Sequence, residues 1–236
     1  MAQDKIMIVD NEMEIIQLIK LYLTREGFNV VWTTDSTKAA ELARQESPDL
    51  ILLDIVMPNM NGIEVCEQIR KDSDVQIVFI SCKDEDMDKV LALSIGGDDY
   101  ITKPFSPAEL VARVKAHLRR QRVSSGDMGN DYTNGSSVQI GDISLNLLSH
   151  TAFVRDTEIH LTAKEFDLLL LFCKYPNRVF TTQQIYENLW FDCGLESDGR
   201  TVMVHISNLR KKIDAVLGSD NPIKTVRGVG YKLSAV

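Results

Sequence analysis

The sequence predicts two folded units: an α/β unit on a five-stranded parallel sheet over residues 1–122, and a smaller α+β unit over residues 138–236. Three observations predict it. Before Arg122, short apolar runs alternate five times with helix-periodic stretches. A stretch rich in Gly, Ser, Asn and Asp then interrupts the pattern. Beyond it come four short strand-like runs, three helical stretches and a glycine-marked hairpin.

Lys5–Val9 is an apolar strand that ends in Asp10-Asn11-Glu12. Ile15, Ile16, Leu18, Ile19 and Leu23 are spaced for one helical stripe, which Gly27 stops. Asn29–Trp32 is a second strand, and Ser36 is expected to cap the helix behind it. Leu50–Leu53 is apolar at every position, as befits a strand buried on both faces, and Asp54 ends it. Pro58 and Gly62 break the chain before a helix near Gly62–Arg70. Gln76–Ser81 is a fourth strand, Asp84–Ile95 a helix and Asp99–Thr102 a fifth strand. Ser106 caps a last helix to about Gln121, with Leu110, Val111, Val114 and Leu118 as its apolar face.

Parallel strands present all their carboxyl ends at one edge. Asp10, Asn11, Asp54, Ser81 and Lys103 follow or end such strands. They therefore converge although they are far apart in sequence. Carboxylates, a hydroxyl and an ammonium together suit metal-assisted phosphoryl transfer. A hard cation takes the oxygens, lysine meets phosphate oxygens, and a carboxylate serves as nucleophile.

D-N-E after the first strand, LLDIVMPNMNG, S-C-K and GGDDYITKPF together resemble the receiver domain of bacterial two-component response regulators, with its flavodoxin-like (βα)5 fold. The resemblance implies that Asp54 is the phosphoacceptor and Lys103 the phosphate lysine, with a cis peptide bond before Pro104. It implies that Asp10, Asn11, Asp54 and the backbone carbonyl of Val56 hold Mg²⁺. Ser81 and Tyr100 match the switch pair. The family usually has a second acid where this chain has Asn11, so the resemblance leaves two outcomes open. Either Asp10 and Asp54 suffice for the metal, or control by phosphate is weakened or lost. Lys89, Asp98, Asp99, Glu109, Arg113 and Arg120 match charges that pair across a two-fold axis in a homodimer. That interface would use the fourth helix, fifth strand and fifth helix, with Lys89–Glu109 and Asp98 or Asp99 to Arg113 as candidate pairs.

Residues 123–137 read as a flexible tether. After it, Val138–Ile140, Ile143–Leu147, Thr151–Val154 and Glu158–Leu161 predict a small antiparallel sheet. Thr162 and Glu165 fit a capping box, ahead of a stripe of Phe166, Leu169, Leu170 and Cys173. Thr181 or Thr182 caps a helix to Leu189, Arg200–Leu217 is a long third helix, and Ile223–Arg227 pairs with Tyr231–Leu233. Charge is unevenly spread. Residues up to Arg122 hold 15 basic and 21 acidic side chains, whereas Arg200 to the end holds seven basic and two acidic ones. A basic helix beside a basic hairpin is the electrostatic footprint of a nucleic-acid reader.

LTAKEFDLLLLF, RTVMVHISNLRKKI and IKTVRGVGYKL are similar to the winged helix-turn-helix domain of the OmpR/PhoB subfamily. By that resemblance Arg200–Ile213 is the recognition helix in the major groove of double-stranded DNA. Arg200 and Lys211 lie on it, His205 and Arg210 fall at phosphate positions, and Asn208 faces base edges. Arg227 is the wing residue in the minor groove. Met203 stands in a slot that is often acidic. The loop Trp190–Gly199 matches the segment that meets RNA polymerase, although Trp190 and Phe191 read better as core.

The remaining sequence narrows the classes. No apolar run approaches the ~18 residues a bilayer span needs, and MAQDKIMIVD is too short and acidic for a signal peptide. Cys66, Cys82, Cys173 and Cys193 form no CxxC pair, as for reduced thiols in a cytoplasmic protein. The net charge of −8 argues against indiscriminate coating of nucleic acid. The expectation is a non-enzymatic regulator, phosphorylated by a sensor histidine kinase, that dimerises and binds DNA. A metal-dependent phosphatase using the same edge lacks a dedicated substrate pocket in the sequence.

Overall fold

The structure is a computed structural model and describes residues 3–82, 86–124, 137–190, 199–218 and 220–234, with side chains left undescribed at 86 and 119–124. Its contacts divide the chain into Met1–Leu118 and Arg119–Val236.

The first unit begins with β1 (Lys5–Val9), α1 (Met13–Arg25) and β2 (Asn29–Thr33). It continues with α2 (Ala39–Glu46), β3 (Leu50–Asp54), α3 (Gly62–Arg70) and β4 (Gln76–Ser81). It closes with α4 (Asp86–Ser94), β5 (Asp99–Thr102) and α5 (Pro107–Ser124). The strands are all parallel, in the order β2-β1-β3-β4-β5. β3 lies at the centre and is buried along its whole length, which is why its sequence shows no alternation. Its side chains divide between the two faces. Leu50 and Leu52 join Ile16, Ile19, Leu110 and Val114 from α1 and α5. Ile51 and Leu53 join Ala39, Val65, Ile69 and Ala92 from α2, α3 and α4.

Turns behave largely as the residue types dictate. Gly27 has φ +89°, directly after the C-cap of α1. Ser106 Oγ accepts from the Glu109 N–H and so caps α5. The expected cap at Ser36 is corrected. Asp35 caps a short 3-10 turn, Ser36–Lys38, that leads into α2, accepting from the Thr37 N–H, and Ser36 is buried with its hydroxyl donating to Pro58 O at 3.0 Å. Asn61 and Glu64 form a capping box on α3, which the sequence reading had not singled out.

The second unit has a four-stranded antiparallel sheet of β6 (Ser137–Ile140), β7 (Ile143–Asn146), β8 (Thr151–Val154) and β9 (Thr157–Ile159). Three helices follow, α6 (Ala163–Lys174), α7 (Thr182–Trp190) and α8 (Gly199–Leu217), then the hairpin of β10 (Ile223–Val226) and β11 (Gly230–Leu233). A bridge from Phe180 to Tyr231 ties the hairpin to the approach of α7. Thr162 and Glu165 make the expected capping box, and Thr181 caps α7 through the Gln184 N–H. α6 is not the one-striped helix its sequence suggested. It is buried nearly all round, including Lys164, Glu165 and Asp167. The Lys164 ammonium donates to Leu189 O at 2.6 Å and lies 5.0 Å from the Trp190 ring centroid. Cys66 and Cys173 are buried free thiols and Cys82 an exposed one, while Cys193 lies outside the described residues.

Buried charge at the start of β5 is settled within the chain. Asp98, 0% exposed, accepts from Arg70 at 2.9 Å and from the Ile77 N–H at 2.8 Å. Asp99 pairs with Arg113 at 3.0 Å and His117 at 3.2 Å. Burial alone would raise the Asp99 carboxyl, but Arg113 and His117 outweigh it and hold the group well below the ordinary carboxylate range. A depressed folded pKa means that the stabilisation is full above the unfolded value of about 3.9 and fades as the pH falls below it. Asp99→Asn is therefore expected to cost about 3 kcal/mol at pH 7. It should also flatten the acid limb of stability against pH, as read by urea melts between pH 3 and 7. An unchanged acid limb would refute the assignment.

Candidate functional site

The edge at the carboxyl ends of the strands holds a compact cluster of charge. β1 delivers Asp10, the N-cap of α1 delivers Glu12, and β3 ends in Asp54. One carboxylate oxygen from each of the three lies within 4.8 Å of the others. The Lys103 ammonium, from the segment after β5, sits 2.8 Å from Asp10, 3.4 Å from Asp54 and 3.5 Å from Glu12. The Lys103–Pro104 peptide is cis, as expected.

Asp54 is 4% exposed and accepts from the Val56 N–H at 3.3 Å. Burial is the largest influence on it and raises its pKa. The Lys103 charge pulls the other way, and Asp10 adds to the rise. Burial alone would lower the Lys103 pKa, but its hydrogen bond to Asp10 and the charge of Asp54 hold it above its ordinary value. Ser81 is fully buried at the end of β4, and its carbonyl accepts from the Lys103 N–H at 2.8 Å. Tyr100 is buried in the cluster with Phe79 and Ala92, with the Lys89 ammonium 6.0 Å from its ring centroid. Val56 is exposed, as is Asn11.

The loop between Asp54 and α3 is held tightly. Gly62 donates its N–H to Ile55 O at 3.0 Å, and a Cβ on Gly62 would meet Asp54 O at 2.0 Å. Three carboxylates with oxygens this close suit a hard dication that prefers oxygen ligands, so the residues fit Mg²⁺.

In the second unit, α8 turns one face outward. Arg200, Met203, Ser207 and Lys211 are exposed, at spacings that make one helical stripe, with Asn208 half-buried beside them. Thr201, Val202, Ile206, Leu209 and Ile213 face the core. The half-buried Arg210 donates twice to Ile223 O, at 3.1 and 2.9 Å, and to Thr225 Oγ1 at 2.8 Å. It thereby joins α8 to the hairpin. Lys212 pairs with the buried Glu165 of α6 at 2.5 Å. Arg227 is exposed at the turn of the hairpin, where Gly228 has φ +74°.

Two family profiles match the chain: the response regulator receiver domain over residues 6–115, and the C-terminal domain of transcriptional regulatory proteins over residues 156–233. The alkaline phosphatase synthesis transcriptional regulatory protein PhoP of Bacillus subtilis (strain 168) is 43% identical over 232 residues, covering 97% of this chain and 96% of that protein. The chain belongs to the response regulators. Within them it is of the OmpR/PhoB type, a receiver domain followed by a winged-helix DNA-binding domain of a transcription regulator. The DNA-binding response regulator MtrA of Mycobacterium tuberculosis (strain ATCC 25618 / H37Rv) is 39% identical over 230 residues, covering 98% of this chain and 96% of that one. Among solved structures, a RitR mutant covers 99% of this chain and 100% of its own, with TM-score 0.78 and 26% identity. The OmpR/PhoB homologue DrrB of Thermotoga maritima covers the same shares, with TM-score 0.51 and 27% identity. No helix among the described residues is long and apolar enough to cross a membrane.

Against this frame several expected placements change. The acidic residue beside Asp10 and Asp54 is Glu12, which the sequence reading passed over. Its place two residues after a strand-ending Asp, at a helix N-terminus, was the available signal. Asp98 and Asp99, expected at a dimer axis, also pair within their own chain, with Arg70, Arg113 and His117. Buried carboxylates need a cation within reach, and the nearest ones are intramolecular. Glu109 likewise pairs with Arg113 one turn on, at 3.2 Å. The Arg120 side chain and the segment 191–198, with Phe191, lie outside the described residues, whereas Trp190 is core as expected. His205, expected at a phosphate, is 1% exposed, and its ring centroid is 5.3 Å from that of Trp190. It sits behind the helix instead of on its outer stripe. Met203 and Ser207 occupy that stripe, and the spacing from Arg200 to Lys211 could have revealed both.

Gly62 offers the cleanest test of the loop. Gly62→Ala is expected to destabilise the receiver domain by about 1–3 kcal/mol, the usual cost of overpacking, because the clash is with main chain. Chemical denaturation of the receiver transition measures it. A change below about 0.5 kcal/mol would show that the loop moves aside freely.

Proposed function

We propose that this response regulator is switched by phosphorylation of Asp54 and answers by dimerising and binding DNA in a sequence-specific way. A sensor histidine kinase is the donor its family implies. An Asp54 carboxylate oxygen attacks the phosphorus of a phosphohistidine. The new O–P bond forms as the N–P bond breaks, and the imidazole leaves with the electron pair and takes up a proton. The observation that carries this reading is the buried Asp54 carboxylate beside the Lys103 ammonium and the Asp10 carboxylate at the strand edge.

Asp10, Asp54, Asn11 and the Val56 carbonyl are the proposed Mg²⁺ holders. When bound, the ion neutralises charge on the phosphoryl oxygens. Lys103 orients the phosphoryl group as a point charge. Ser81 and Tyr100 respond behind it, and the equilibrium moves only as far as the phosphoryl group distinguishes the two states. The α4–β5–α5 face is the proposed dimer surface, with Lys89, Asp98, Asp99, Glu109, Arg113 and Arg120 as its candidate charges and residues 123–137 as the tether. The proposed DNA contacts are Arg200, Asn208 and Lys211 on α8 and Arg227 on the wing, with Arg210 holding the two elements together. RNA polymerase is the proposed further partner, and the cytoplasm the proposed compartment. The neutral, exposed Asn11 favours a second reading, in which DNA binding depends weakly on phosphate.

Footprinting on a duplex selected from a random pool, with and without a small acyl-phosphate donor and Mg²⁺, separates the two. The first reading expects protection to strengthen with the donor and Asp54→Asn to abolish that gain. Equal protection in both conditions supports the second. Arg227→Ala is expected to weaken binding to all duplexes and to lower the slope of log affinity against log salt by about one. An unchanged slope would remove Arg227 from the phosphate and groove contacts.

A further inference from the structure

We infer that Glu12 supplies the carboxylate which the chain lacks at Asn11, so that the receiver's cation site keeps three anionic donors through a shift of one residue. The inference rests on the phosphorylation reading of the same edge and assigns one more residue to it.

The geometry favours Glu12 over its neighbour. Asn11 is exposed and carries no charge. Glu12 has an oxygen within 4.8 Å of ligand oxygens of both Asp10 and Asp54. Lys103 provides a second, independent pointer. Its ammonium touches Asp10 and Asp54 and also reaches Glu12 Oε1 at 3.5 Å, so this buried cation is shared by all three. Glu12 itself is held in place, since its N–H donates to Asp10 Oδ1 at 2.8 Å. It also stands at the N-cap of α1, where the helix dipole favours a negative side chain.

Chemistry supports the exchange. A hard dication is indifferent to which residue lends the oxygen, provided charge and distance are met. It keeps several waters, so a longer glutamate reaches the ion directly or through one of them. The half-exposed Glu12 side chain is free to adjust, which the buried Asp10 and Asp54 are not.

Calorimetric titration of the full-length, unphosphorylated chain with MgCl₂ at constant ionic strength tests this without any phosphoryl donor. Wild type, Glu12→Gln, Asn11→Asp and the double variant form a cycle. Glu12→Gln should raise the Mg²⁺ dissociation constant roughly ten-fold, and Asn11→Asp should recover most of that loss in the double variant. The gain from Asn11→Asp should be clearly larger without Glu12 than with it. A Glu12→Gln dissociation constant equal to wild type overturns the inference and leaves the Asp54 reading standing. So do equal gains from Asn11→Asp in both backgrounds, a comparison that holds even where one variant is less stable. No Mg²⁺ binding in wild type overturns both.

Discussion

Three carboxylates crowded at one sheet edge repel one another, and the receiver unit is arranged around the Lys103 ammonium that answers them. Lys103 touches Asp10 and Asp54 while being nearly buried itself. Each partner needs the other. Without the Lys103 charge, burial would raise the Asp54 carboxyl further, and without Asp10 and Asp54, burial would lower the Lys103 ammonium. The parallel sheet makes the meeting possible. β1 and β3 are neighbours in register, and the segment after β5 returns Lys103 to the same edge. Ser36 braces the adjoining loop at Pro58 O, and Asn61 caps the helix that leaves it. The apolar faces of β3 therefore do more than fill space, because they fix where its last residue stands.

The second unit solves a different problem, that of presenting a basic helix without losing its core. α8 packs Val202, Ile206, Leu209 and Ile213 inward and leaves a stripe from Arg200 to Lys211 outward. Two of its basic residues are used internally. Lys212 neutralises Glu165, which also closes the cap of α6, and Arg210 braces the hairpin. The basic count read from the sequence thus overstates what faces a duplex. Lys164, fully buried, finishes the end of α7 by taking Leu189 O.

Much of this was legible in advance. Strand and helix order followed from period and punctuation, because β3 and β4 are apolar through their interiors and the α1 stripe has one clear period. Asp10, Asp54 and Lys103 could be placed together from parallel topology alone. What was not legible shares a cause. His205 and Arg210 are polar residues whose partners within the chain are set by tertiary packing, and no local pattern reveals whether such a group also meets another molecule. α6 was misjudged because a helix buried on all sides looks amphipathic when Lys164, Glu165 and Asp167 are assumed to be solvated. Glu12 is not legible from the family's position, because its longer side chain reaches the cluster from one residue further along.

Gly62 carries a consequence for how this protein tolerates change. Its φ is outside the left-handed region, so the requirement is one of room and not of torsion. The obstruction facing any side chain there is the peptide carbonyl of Asp54 itself. Trimming a neighbouring side chain elsewhere cannot relieve it. Second-site suppressors of a substitution at this glycine must therefore reroute the main chain beside Asp54, and in doing so they displace a carboxylate of the strand-edge cluster.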